Sequence, residues 1–150
     1  MTMSNATEIP FATTLLVRDT CLCLHAQRAA RALARLFDDA LRPAGLTNGQ
    51  FSLMMSLNRP EPPPMGPVAK LLAMDQTTLT AALKPLQRRG WVEVFPNPRD
   101  KRGRLLRLTP EGMRVLTAAL PIWESTHAAL EKTLPEGNAE RLRQDLQALA

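Results

Sequence analysis

Apolar side chains recur at helical spacing along most of this 150-residue chain, and they change to strand-like alternation in one region. From Ala12 to Arg42 leucines and alanines keep a single stripe, which predicts one long helix that ends at Pro43. The capping box Thr47–Gln50 then predicts a helix through about Asn58, because its two side chains can satisfy the first unpaired amides.

Two further helices are predicted near the C-terminus. Thr109-Pro110-Glu111 is a strong helix start, with a threonine N-cap, a proline at the first helical position and an acid in the first turn. The last helix is predicted from about Asn138 to Leu149, where leucines recur every three or four residues. This helix and the N-terminal one carry apolar stripes that a small central domain cannot fully cover, which indicates pairing with a second chain.

The middle of the chain combines a short helix, a tight turn and an amphipathic helix. Residues 68–74 predict the short helix, and the amphipathic helix is predicted between Asp75, a good N-cap, and Gly90, which suits the left-handed C′ position. Its outer face is polar at the N-terminal end and cationic at the C-terminal end. Such a face suits DNA, because short polar groups approach base edges while cations reach phosphates. The inner face is apolar: Leu79, Leu83 and Leu86.

Alternating apolar and polar residues predict two strands directly after this helix. The first covers residues 91–95, and the second resumes over residues 105–108. The intervening stretch, residues 99–104, is predicted to be an exposed loop because it is too charged for burial. A helix with a polar outer face followed by a basic hairpin is a winged helix-turn-helix.

Three stretches make the resemblance specific: LTNGQFSLMMSL, VAKLLAMDQTTLTAALKPLQRRGWVE and NPRDKRGRLLRLTPEG. In this order they resemble the MarR family of bacterial transcriptional regulators over nearly the whole chain. The resemblance implies a mainly α fold with a small β-hairpin wing, in a single domain of residues 1–150. It further implies that residues 46–109 form the DNA-binding part, and that residues 12–42 and 110–150 form the dimerisation helices of a homodimer.

Charge supports the same interpretation through its placement. The net charge is +5, and residues 60–108 alone hold nine Lys and Arg against four acids. This concentrated basic excess favours double-stranded DNA over a merely solvated basic face. A dimer would place two recognition helices in successive major grooves of a pseudo-palindromic operator.

The candidate DNA contacts fall into three groups. The residues expected to read bases lie at the start of the recognition helix: Gln76, Thr77, Thr78 and Thr80. Many family members have Arg at the positions of Gln76 and Ala81. Lys84 and Arg88 are expected to meet the backbone, and Arg89 is expected to face the core boundary. The resemblance implies that Arg102 enters the minor groove and that Asp100 holds it by a salt bridge. Arg99, Lys101 and Arg104 are then phosphate contacts.

The predicted N-terminal helix also carries candidate sensor residues. Leu22-Cys23-Leu24 is similar to the reactive-thiol segment of the organic-hydroperoxide-sensing branch of the family. This similarity makes Cys23, with Cys21, a candidate redox sensor. That branch orients its thiol with tyrosines, and this chain contains no tyrosine. Ordinary packing of the cysteines and a weak Cys21–His25 metal or thiolate pair remain alternatives. From the resemblance, a pocket for a small-molecule effector is expected between the dimer helices and the DNA-binding part, lined by His25, Arg28, Trp123 and His127.

Other features narrow the possible functions. Five of the eight residues from Pro60 to Pro67 are proline, which predicts a stiff spacer where most family members carry a short strand, with partner docking as an alternative. Residues 1–10 lack periodicity and are expected to form a mobile tail. A leader, a membrane-spanning run and a catalytic constellation are not visible, so we expect a cytoplasmic regulator without cofactor or structural metal, and not an enzyme. The competing hypothesis is a winged-helix module that docks a protein.

Overall fold

The computed structural model describes residues 8–150, so most of the tail expected for residues 1–10 lies outside the described residues. The described chain is mainly helical with one antiparallel hairpin, which confirms the predicted fold class. In chain order its elements are α1 Phe11–Thr20, α2 Leu22–Leu41, a 3-10 turn Arg42–Ala44, α3 Asn48–Ser56, α4 Met65–Leu71, α5 Gln76–Arg88, β1 Val92–Asn97, β2 Asp100–Leu108, α6 Pro110–Glu131 and α7 Asn138–Leu149.

The chain forms two compact units, one ending at Leu36 and one spanning Phe37–Ala150. In the first unit the prediction of one long helix is wrong, because the helix is interrupted at Cys21. The backbone of Cys21 is extended, with ψ 108°, and its amide closes the last turn of α1 on the carbonyl of Val17. Its Sγ accepts a 3.4 Å hydrogen bond from the amide of Leu24, so Cys21 also caps the start of α2.

The second unit is built around one apolar core. Helices α3 to α6 and both strands contribute side chains to it, together with the end of α2. Burial is nearly complete for its largest members: Leu41, Leu53, Met54, Leu79, Leu83, Leu86, Leu106 and Val68. The helix-turn-helix and the hairpin therefore share a single core, which fixes the recognition helix and the wing relative to each other.

Three predicted helix starts are confirmed by their hydrogen bonds. Thr47 and Gln50 form the complete capping box of α3, Asp75 caps α5, and Thr109 accepts from the amide of Gly112 at the start of α6. At the α3 terminus the carboxylate of Asp38 also accepts from the backbone and side-chain nitrogens of Asn48, at 2.7 and 2.8 Å. These bonds lower the pKa of Asp38, because they stabilise its charged form.

The proline-rich segment is more than a spacer. The carbonyl of Pro63 accepts a 2.9 Å hydrogen bond from the amide of Leu106, and Pro64 forms an isolated antiparallel bridge with Leu105. The segment thus adds a minimal third strand to the hairpin, and α4 begins at Met65 instead of Val68. Within α4, Val68 is fully buried, whereas Leu71 is 63% exposed and does not face inward.

The start of α6 packs so closely against the start of the hairpin that only a glycine fits at the contact. A Cβ on Gly112 would lie 2.0 Å from the carbonyl oxygen of Trp91, well inside van der Waals contact. The same carbonyl accepts a 3.0 Å bond from the amide of Thr109, whose hydroxyl donates to the carbonyl of Gly90 at 2.6 Å. The Leu-Thr-Pro-Glu-Gly segment, residues 108–112, therefore fixes the start of α6 to the hairpin.

Candidate nucleic-acid interface

The recognition helix α5 is fixed by its inner face. Leu79, Leu83 and Leu86 are 0%, 2% and 0% exposed, so their side chains hold the helix against the core. At its start the carboxylate of Asp75 accepts a 2.7 Å hydrogen bond from the amide of Thr78. This bond lowers the pKa of Asp75, and the carboxylate is therefore charged at neutral pH.

All four candidate base-reading residues are exposed, but they are not equally free to contact DNA. Thr78 donates its backbone amide to the Asp75 cap, and its side chain also helps to lower the pKa of that carboxylate. Thr80 donates its hydroxyl to the carbonyl of Gln76 at 2.8 Å, which leaves only its acceptor capacity for a base or phosphate. The side chains of Gln76 and Thr77 make no hydrogen bond within residues 8–150, and they are the most available groups on this turn.

Cations follow at the C-terminal end of α5. Lys84 and Arg88 are exposed and line a shallow groove with Gln87, as expected of groups that meet a phosphate backbone. Arg89 behaves differently: its Nη1 donates to the carbonyl of Gly45 at 2.6 Å, and its guanidinium lies 4.7 Å from the ring centroid of Trp91. The expectation that Arg89 faces the core boundary agrees with this placement.

The hairpin extends further than its sequence suggests. Strand β2 begins at Asp100, so residues 100–104 are strand and not the predicted loop. Only Pro98 and Arg99 lie at the tip, and the register shifts between Pro96 and Asn97. The strand can carry so much charge because its outer face is exposed, while only Leu106 on its inner face is fully buried.

The wing residues are positioned by backbone contacts. The carboxylate of Asp100 accepts a 3.0 Å hydrogen bond from the backbone amide of Arg102, and among the described residues no ion pair joins these two side chains. Asp100 thus shapes the turn and leaves the guanidinium of Arg102 exposed. Within residues 8–150 the other predicted wing cations are exposed and without a carboxylate partner too: Arg99, Lys101 and Arg104.

Arg107, at the base of the wing, has a different role that sequence reasoning missed. Its Nε lies 2.6 Å from Glu93 Oε2 across the two strands, and its guanidinium lies 4.5 Å from the ring centroid of Phe95. Opposite charges at directly paired positions stabilise a hairpin, and Glu93 faces Arg107 in the register. The alternation in the sequence predicts the two strands, but it does not show which of their residues lie opposite each other.

The two cysteines differ in their surroundings. Cys21 is half-buried at the helix break, and Cys23 is exposed, with a 3.4 Å hydrogen bond from Gln27 Nε2 to its Sγ. The ring of His25 contacts the carbonyl of Cys21 at 2.8 Å, so it pairs with the backbone and not with the thiol. Among residues 8–150 no group of three metal-ligating side chains occurs.

The predicted pocket residues fall into the two units, with His25 and Arg28 in the first and Trp123 and His127 in the second. His25 and Arg28 line an open groove along α2 together with Arg31 and Arg35. In the second unit Trp123 stacks on Phe51 and on His127, with centroid distances of 6.1 and 4.8 Å. His127 Nδ1 lies 3.5 Å from Glu131, which in turn accepts a 2.7 Å bond from Arg143 of α7.

Comparisons with known proteins point to one family. The sequence model of the MarR family matches residues 46–103. The multiple antibiotic resistance protein MarR of Escherichia coli K12 is 34% identical over 101 residues, which cover 67% of this chain and 70% of that protein. Its counterpart in Salmonella typhimurium is 37% identical over 81 residues, so the match covers 54% of this chain and only 56% of the relative.

A solved structure extends the similarity to nearly the whole fold. The transcriptional regulator MosR of M. tuberculosis, crystallised in complex with DNA, superposes with a TM-score of 0.79 at 35% sequence identity. The match covers 87% of this chain and 93% of that one. None of the helices in the described part of this chain is long and apolar enough to cross a membrane.

Proposed function

Because this chain belongs to the MarR family, we propose that it is a homodimeric transcriptional repressor that binds a pseudo-palindromic operator. Its recognition helix α5 would enter the major groove with Gln76 and Thr77 leading. Its wing would approach the adjacent minor groove with Arg102, where a cation reads groove width and potential instead of a base pattern.

One observation carries this proposal: cations without a carboxylate partner among the described residues and a polar helix N-terminus are exposed on elements that share one core. The cations of the wing have no carboxylate partner among the described residues, so they are available for phosphates. The polar side chains at the start of α5 stand on a helix whose inner face is fully buried. A preorganised surface of this kind loses little conformational entropy on binding DNA.

Uncovered apolar side chains support the dimer. In α1, Phe11 and Leu16 are 73% and 60% exposed, and in α7, Leu142 and Leu146 are 42% and 47% exposed. Exposed apolar side chains on the terminal helices are an unfavourable surface for a monomer and a suitable one for a second copy. A symmetric dimer would also present two recognition helices about one DNA turn apart.

Release from DNA would follow binding of a small ligand or oxidation of a thiol. The open groove at His25 and Arg28 and the aromatic stack at Trp123 and His127 are the candidate ligand contacts. Cys23 is the candidate for oxidation, since the residue is exposed, whereas Cys21 serves as a helix cap. Either event would act by changing the spacing of the two recognition helices.

Fluorescence anisotropy tests the proposal directly. DNA from upstream of the protein's own gene and the same DNA scrambled would be titrated with reduced protein at several salt concentrations. A preference of about a thousandfold for the upstream DNA is expected of a specific regulator. Equal, weak binding to this and to other candidate operators would contradict the proposal and favour the protein-docking module.

The same titration distinguishes the two modes of release. Mild peroxide that abolishes binding in wild type but not in Cys23→Ser would assign release to the thiol. The matched control Cys21→Ser preserves an oxygen that can cap α2, and it should remain sensitive to peroxide. If peroxide changes nothing, release belongs to a small ligand.

A further inference from the structure

Two neighbouring arginines at the end of α5 use their side chains in different ways. Arg88 and Arg89 are both exposed, but within residues 8–150 the one hydrogen bond of the Arg88 side chain is from its Nε to the carbonyl of Lys84 on its own helix, at 3.5 Å. Arg89 instead reaches a carbonyl 44 residues earlier in the chain, that of Gly45, with a 2.6 Å bond from Nη1. Its guanidinium also stacks over Trp91. These two contacts hold the guanidinium of Arg89 on the protein in the absence of DNA.

The receiving end of this bond is well fixed. Gly45 ends the 3-10 turn that directly follows α2, with a φ of 77° that favours glycine. Its amide donates to the carbonyl of Arg42 at 2.9 Å. The flanking Leu41 and Leu46 are 1% and 3% exposed, so both sides of the turn are anchored in the core. A displacement at the end of α2 is therefore passed to the Gly45 carbonyl instead of being absorbed by a loose loop.

Trp91 completes the junction. A Cβ on Gly45 would lie 3.7 Å from Trp91 Cη2, so the ring packs on the 3-10 turn. The backbone carbonyl of Trp91 accepts from Thr109 at the start of α6. The end of the recognition helix, the turn after α2 and the start of α6 thus meet around Arg89 and Trp91.

We propose that Arg89 is a positioning residue that fixes the end of the recognition helix to the segment following α2. Through this bond, a movement of the α2 end in a dimer changes the orientation of the DNA-binding surface. The inference rests on the proposed function, and it assigns Arg89 to coupling and Arg88 to phosphate contact. Arg88 bonds only locally, to its own helix, whereas Arg89 bonds to a distant segment, so the two arginines make a matched pair for experiment.

Hydrogen exchange on the DNA-free protein tests the link itself. In Arg89→Met, which keeps the apolar stem and removes the donor, exchange should be faster at the amides of Gly45, Leu46, Gly90 and Trp91. These amides close the turn and the helix end. Arg88→Met should leave all of them unchanged. Unchanged exchange at both segments in Arg89→Met would overturn the proposal.

DNA binding separates positioning from phosphate contact. In Arg89→Met we expect operator binding to weaken about tenfold, a lower operator-to-scrambled ratio, and an unchanged dependence on salt. In Arg88→Met binding should weaken on both DNAs, with a salt slope lower by about 0.9 for each phosphate that is no longer neutralised. A slope reduced equally in Arg89→Met would overturn the proposal.

The two proposals fail in different ways. If wild-type protein shows no operator preference, the proposed repressor function fails, whereas hydrogen exchange still decides whether Arg89 links the two segments. A circular-dichroism melt of each variant guards against general destabilisation. A purely structural role would lower Tm without changing the operator-to-scrambled ratio of the folded protein, and that result would overturn the positioning role.

Discussion

The recognition helix and the last helix are nearly equal in length, but they depend on the rest of the chain to very different degrees. Three leucines of α5 are buried in the core, whereas α7 has no buried residue. The side-chain links of α7 to its own chain include the exposed pair Arg143–Glu131, which lowers the pKa of Glu131 and raises that of Arg143. Exposed ion pairs contribute little to stability.

This difference assigns the two regions different requirements. Helix α5 is held by the core of its own chain, so its position does not require a partner chain or DNA. Helix α7 leaves Leu142, Leu146 and Leu149 exposed, and in the proposed dimer the second chain would cover them. Substitutions in the first region should therefore alter folding or DNA affinity, and substitutions in the second should alter oligomeric state.

The largest effect is expected at Gly112. In Gly112→Ala the new Cβ would overlap the carbonyl of Trp91, which is backbone and cannot rotate away. We expect a loss of about 3 kcal/mol or more in the free energy of unfolding, measured by urea denaturation.

Gly49 and Gly66 provide the control for that substitution. Both are helical, and a Cβ at either meets nothing within 4 Å. Alanine at these positions should be neutral or stabilising by up to about 1 kcal/mol. A Gly112→Ala protein as stable as these controls would contradict the close packing of α6 on the hairpin.

The next largest effect concerns dimerisation. Leu142→Ala removes most of an apolar side chain that is 42% exposed in one chain. In a symmetric dimer the contact is lost in both subunits. We expect the dimer to weaken by about 3 kcal/mol, roughly a hundredfold in Kd, by analytical ultracentrifugation. Gln144→Ala on the same helix should leave the dimer unchanged. A dimer equally strong in both variants would show that α7 is not part of the interface.

Sequence reasoning succeeded where the signal is local. The caps at Thr47, Asp75 and Thr109 and the buried stripe of α5 follow from a few neighbouring residues, and all appear in the structure. It failed where distant pairing decides. The charged stretch after Asp100 is strand because β1 pairs with it, and Pro63 joins the hairpin through a bond to Leu106. The partners of Arg89 and Arg107 likewise depend on tertiary contacts and register.

A smaller effect is expected for the wing cation Arg102. Arg102→Ala should weaken operator binding about tenfold and reduce the salt slope by about 0.9 for each subunit, without changing Tm or the dimer. Anisotropy at several salt concentrations measures both quantities. Arg107→Ala is the matched control, since Arg107 is already paired with Glu93. Its salt slope should stay close to that of wild type, and unchanged operator binding in Arg102→Ala would count against the wing assignment.

The smallest effect is expected from the N-cap of the recognition helix. The amide of Thr78 lowers the pKa of Asp75 below its ordinary value of 3.8. A carboxylate with a lowered pKa contributes stability above its unfolded pKa, and this contribution is lost as the pH falls through the folded pKa. Wild-type Tm should therefore fall more steeply below about pH 4 than the Tm of Asp75→Asn, which retains an acceptor but does not titrate.

The same pH series, repeated in the Leu142→Ala background, tests the comparison between the two regions. The Asp75 cap belongs to α5, which is held by the core of its own chain, so its contribution should persist when the dimer is weakened. Thermal melts at matched protein concentration would show the same difference in slope, with and without the Asp75→Asn substitution, in both backgrounds. If the difference vanished with the dimer, the recognition helix would depend on the partner chain as much as α7 does, because its first turn would then be ordered only after the terminal helices had paired.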